Sequence, residues 1–158
     1  MIAGVLAGIL LFSDPMAGCF GPVRLTSLAL IEREARLALP PGTRLVAGAR
    51  RYPINTQIWA VLEVPRDRVR PMLEGEPFGG YERESGRPRP SALITEHWGH
   101  RPGFVPPLPD RMDPYLVATH VWREGDGHGE FVTVVVDLSA AQADPVPVYL
   151  ACRRLRSD

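Results

Sequence analysis

Apolar and polar residues alternate most cleanly between Gln57 and Val64. Ile58, Ala60, Leu62 and Val64 share one side, and Gln57, Trp59, Val61 and Glu63 share the other. That period of two predicts a strand with one buried face, ended by Pro65. Tyr115 to Arg123 and Glu130 to Leu138 are dense in β-branched and aromatic residues, which predicts two more strands. Between them, Gly125, Gly127 and Gly129 can take positive φ and suit a hairpin turn. Val146 to Arg153 supplies a last strand, with Pro147 placing its start at an edge or a bulge. Arg44 to Ala49 reads as a further strand.

Helical spacing shows in two places. Leu28, Ile31, Ala35 and Ala38 form one stripe, so Thr26 to Leu39 predicts a helix capped by Thr26 or Ser27. Pro40-Pro41-Gly42 stops it. Arg66 to Leu73 suits a short helix interrupted at Pro71. The order αββ(α)βββ predicts an α+β fold: a four- or five-stranded antiparallel sheet, one N-terminal helix packed on a face, and a long Pro/Gly-rich insertion before a C-terminal β-meander. Residues 26–158 then form a single small domain whose long loop spans 74–112. Loops of that length are uncommon unless functional or disordered, and Phe78, Tyr81, Trp98 and Phe104 argue against disorder.

The N-terminus has a different pattern. Ile2 to Phe12 is an apolar run, and Met16-Ala17-Gly18 precedes Cys19. At about 1.5 Å per residue the run reaches roughly 16 Å, half of a hydrocarbon core about 30 Å thick. A signal-peptide core fits that length better than a membrane span. Small residues before a cysteine point to a bacterial lipoprotein signal, in which Cys19 is acylated and becomes the new N-terminus. Against this, the segment before the run has no Arg or Lys, and Met16 stands where such signals carry Leu. Ordinary cleavage, an uncleaved anchor, or an apolar helix in a cytosolic core are the alternatives. The leading reading takes 1–18 as signal peptide or membrane anchor and 19–25 as tether.

Composition narrows the function without naming it. The 158 residues carry 18 basic and 18 acidic side chains, for a formal net charge of zero. No excess of positive charge attracts a phosphate backbone, so nucleic acid is not an expected partner. Every basic residue is Arg. In a chain rich in Ala, Gly and Pro this reflects GC-rich codon usage rather than a site. Cys19 and Cys152 could pair in an exported chain; acylation of Cys19 would instead leave Cys152 alone, a small buried residue of the last strand.

Candidate chemistry is sparse. Glu96-His97-Trp98-Gly99-His100 places two histidines three apart, with Asp110 and Asp113 nearby. This is the candidate metal set: His97, His100 and Glu96. Gly99 and Pro102 disfavour the helix that would align them. A His120–Asp137 pair across neighbouring strands could orient an imidazole for acid–base work. Arg50-Arg51 and Arg153-Arg154 are basic clusters suited to solvated strand ends or to anionic headgroups. Trp59 and Trp122 sit on strands with a face open to a ligand.

Met16-Ala17-Gly18-Cys19, Leu39-Pro40-Pro41-Gly42-Thr43 and Val148-Tyr149-Leu150 give the chain a generic resemblance to small secreted or lipid-anchored proteins of GC-rich bacteria. The resemblance implies a compartment and no activity. The expected function is therefore a non-catalytic, membrane-tethered, extracytoplasmic binding domain without a cofactor. It is held to the cell envelope by its N-terminal segment or lipid, and meets an envelope protein or another envelope component. The expected ligand-binding residues are Trp98, Tyr81, Phe104 and Trp59. The alternative is a small extracytoplasmic metal-dependent hydrolase using the Glu96-His97-x-x-His100 region.

Overall fold

β-branched and aromatic residues at alternate positions commit most of this chain to extended structure, and the result is one sheet. The computed structural model describes residues 22–51, 55–86, 98, 100–123 and 129–155. In chain order its elements are β1 (Val23–Leu25), α1 (Leu28–Ala35), β2 (Arg44–Arg51), β3 (Asn55–Val64), α2 (Arg66–Glu74), β4 (Glu82–Gly86), β5 (Met112–Arg123), β6 (Glu130–Asp137) and β7 (Val146–Leu155). The strands form a 7-stranded sheet ordered β1-β2-β3-β7-β6-β5-β4, with every neighbouring pair antiparallel.

This corrects the expected four- or five-stranded sheet with one N-terminal helix packed on a face. Seven strands dominate, and the described helices are two short ones. The added strands explain themselves physically. β1 has three residues and β4 reads Glu-Arg-Glu-Ser-Gly, so neither offers an apolar alternation. Each exists because β2 or β5 presents an edge of unpaired amides and carbonyls that a neighbouring segment satisfies. β1 falls within the stretch read as tether, and β4 within the stretch read as loop.

The helices stop where local chemistry stops them. Ser27 caps α1, its side chain accepting from the Leu30 amide at 3.3 Å. Arg36 turns into the left-handed region at φ 49, ending the helix short of the expected Leu39. The Glu32 carboxylate then accepts from the Leu39 amide at 3.0 Å, so the chain can turn inward and bury Leu37. Gly42, at φ 87, completes the reversal into β2. Pro71 lies inside α2, which ends three residues later.

Strand parity divides the interior into two cores. Ile58, Leu62, Val132, Val136, Val148 and Leu150 lie in one, together with Ile31 and Ala35 of α1 and Val69, Met72 and Leu73 of α2. Trp59, Tyr115, Phe131, Val135 and Tyr149 lie in the other, with Trp98 and Val105. The central strands are thus buried on both sides. Trp59, expected on a strand with one open face, has no exposed surface. Pro147 sits in central strand β7, opposite Glu63 and one residue before the β6 ladder begins at Val148. At the start of a strand its missing amide is tolerated.

Candidate functional site

The four residues expected to bind a ligand do not converge. Trp59 and Trp98 are buried in the same core, where Trp98 meets Tyr149 edge-on at 6.0 Å. Tyr81 packs against the opposite core, and Phe104 is 41% exposed. His100 is exposed, while Glu96 and His97 lie outside the described residues, as does Cys19. Among the described residues, no three His, Cys, Asp or Glu side chains are grouped to hold a metal ion. The ladder sets His120 opposite Val132 and Asp137 opposite Tyr115, so the expected His120–Asp137 pair does not form.

A different set does converge, on Trp122. The β5–β6 register shifts between Val121 and Arg123, which makes Trp122 the extra residue of a bulge. Bulges re-aim a side chain, and this one packs against the helix-side core. Arg154, near the end of β7, lays its guanidinium 4.7 Å from the centre of the indole. Arg36 brings a second guanidinium to 5.7 Å from the left-handed turn that ends α1. His120, two residues earlier on β5, meets the indole edge-on at 5.1 Å. A cation over an indole face gains about 0.5–2 kcal/mol, more as water is excluded.

Glu130 supplies the negative charge. It is 6% exposed, and its Oε1 lies 3.9 Å from Arg154 Nε. The separation gives charge pairing without a hydrogen bond of normal length. Arg154 Nη1 is buried without a hydrogen-bond partner. Thr56, also 6% exposed, stands opposite Arg154 on β3. A buried guanidinium donor left unpaired costs about 1–3 kcal/mol.

Cys152 lies beneath this cluster and takes no open part in it. It has no exposed surface, and its thiol donates to the Glu34 carbonyl at 3.6 Å. Burial pushes the thiol far up from its ordinary 9.0; the Arg154 charge pulls it down, while Glu34 and Glu130 push it further up. A protonated, covered thiol is a poor nucleophile. The cluster combines forked donors with a flat apolar ring. The guanidiniums can meet an anionic oxygen-bearing group, and the buried Glu130 carboxylate acts against that binding.

Its parts were visible in the sequence only as separate fragments: Trp122-Arg123 at one strand end and Arg153-Arg154 at another. Nothing in their spacing says that they meet, or that Arg36 joins them. No protein-family model matches the chain, and no curated protein or solved structure is significantly similar to it. Among the described residues, no helix is long and apolar enough to cross a membrane.

Proposed function

We propose that this chain is a non-catalytic, extracytoplasmic binding domain, tethered to a membrane through its N-terminal segment, that recognises an anionic component of the cell envelope at Trp122. The observation that carries the ligand class is the convergence of Arg36 and Arg154 on one indole, with Arg154 Nη1 buried and unpartnered. A carboxylate or phosphate oxygen is the acceptor that such a donor lacks. The apolar Ile2–Phe12 run and Met16-Ala17-Gly18-Cys19 support the tether and the compartment.

The test uses the full chain recovered from bacterial membranes. Its intact mass is expected to show a chain beginning at acylated Cys19. Titration with inorganic phosphate is expected to change tryptophan emission in the parent protein and in Trp59→Phe, but not in Trp122→Phe or Arg154→Gln. A phosphate response that survives Arg154→Gln would sink the ligand assignment. A chain found soluble with Met1 intact would sink the tether.

A further inference from the structure

In this chain of zero formal net charge, six arginines lie toward one end of the sheet. Val23 pairs with Arg51 and Arg24 with Arg50, at the end of the sheet where the chain passes into β1. Gln57 sits between Arg51 and Arg153, and Arg154 follows opposite Thr56. Arg36 reaches the same end over Trp122. Arg24, Arg36, Arg50, Arg51, Arg153 and Arg154 therefore lie toward one end, with Glu130 and Glu34 near Arg154 and Cys152. Arg24 and Arg36 are exposed, Arg50, Arg153 and Arg154 are half-buried, and Arg51 is buried over Trp59, so Arg24 and Arg36 present the open charge. At the opposite end, Glu63 pairs with Arg44, and the Asp144 carboxylate accepts from the Arg66 amide. α2 adds Asp67 and Glu74 together with Arg66, Arg68 and Arg70, and β6 ends in Asp137, so this end is mixed in charge rather than basic.

We infer that the basic end rests on the anionic leaflet that holds the tether, and that lipid phosphates are the anions it meets. This rests on the tethered reading of Cys19. Val23 lies four residue steps after Cys19, and at about 3.3–3.6 Å each they span at most about 14 Å. The Debye length at physiological salt is about 8 Å, so so short a tether holds β1 close to the range in which headgroup charge is felt. Each Arg near an anionic surface favours contact by about fivefold. Leu25, on the same edge strand, is 74% exposed and adds an apolar side chain beside Arg24. A membrane-facing end uses both features, whereas a solvated strand end uses neither.

The experiment places the full chain on vesicles of phosphatidylcholine alone or of an equal mixture with phosphatidylglycerol. Arginines are modified with phenylglyoxal and their rates resolved by mass spectrometry. Arg24 and Arg36 are expected to react at least about fivefold more slowly on the mixed vesicles, while Arg44 and Arg68 at the far end do not change. Salt near 1 M, where the Debye length is about 3 Å, should abolish the difference. Arg24→Glu, an exposed change, should weaken the protection of Arg36. Equal rates on both vesicles, or protection of Arg36 indifferent to Arg24→Glu, would overturn the inference while leaving the tether intact. A chain that fails to sediment even with neutral vesicles overturns the tether and this inference with it.

Discussion

At the scale of single residues, Cys152 has a measurable thermodynamic signature. Its folded-state pKa is raised by burial above the ordinary 9.0, so the native state keeps the proton where the unfolded chain gives it up. The unfolded state then binds fewer protons, and stability falls as pH rises. The stabilising contribution is complete below pH 9.0 and declines above it. The slope approaches about 1.4 kcal/mol per pH unit per group. Tyr149, raised from 10.0 by burial and by the charge of Asp137, adds a decline of the same sign at higher pH. Urea unfolding between pH 8.5 and about 10.5 is expected to show this loss, and Cys152→Ser is expected to flatten it. A slope identical in both proteins would mean that the thiol is not held protonated.

At the scale of elements, one side chain joins a helix to a distant loop. Arg66 opens α2, and its guanidinium donates to the Ala143 carbonyl at 2.8 Å and the Ala140 carbonyl at 2.6 Å. Its amide donates to Asp144 Oδ1 at 3.0 Å. Those bonds hold the β6–β7 connection against the helix start, so α2 and the central strand β7 are positioned by one residue. Arg66→Ala is expected to lower stability by about 1–3 kcal/mol, because two carbonyls lose a charged donor. Hydrogen exchange should quicken at residues 140–144 and at the start of α2. Quickening spread evenly over the chain would mean that Arg66 acts on global stability alone. Elsewhere, Gly48 allows a close approach: a Cβ there would lie 2.6 Å from Thr26 Cγ2, where β1 passes toward α1.

At the scale of the whole molecule, the placement of β7 controls the architecture. It fills the gap between β3 and β6, pairing Asn55 with Leu155 and Phe131 with Arg153. The β3–β7 pairing closes a loop of about 80 to 100 residues before it is rewarded, so folding should fall in the slow range of mainly non-local folds, about milliseconds to seconds. A chain ending before Val146 is expected not to fold. It would leave β3 and β6 each with an open edge, and both core clusters without their β7 side chains. Circular dichroism and hydrogen exchange would show this as loss of the whole sheet. A truncated chain that retained a protected β2–β3 hairpin would show instead that the N-terminal half is autonomous. The same placement brings Arg153 and Arg154 to the end of the sheet that holds Arg50 and Arg51, with β3 between them.

Local chemistry was legible from the chain itself. The alternation of Gln57–Val64, the β-branched run of β6 and the Ser27 cap act over a few residues, and each marks its element where it lies. Even the basic and aromatic fragments could be seen one at a time. The number of strands, the order in which they pair, and the meeting of Arg36, Trp122, Glu130 and Arg154 could not. β1 and β4 carry too few apolar residues to announce themselves, and the edges of β2 and β5 recruit them. Trp59 reads as half-open until Trp98 and Val105, from the stretch read as loop, join it in one core. Periodicity and propensity report on a dozen neighbouring residues. Pairing, burial and charge sorting are decided between residues far apart in the chain, where ladder hydrogen bonds and apolar contact select one arrangement.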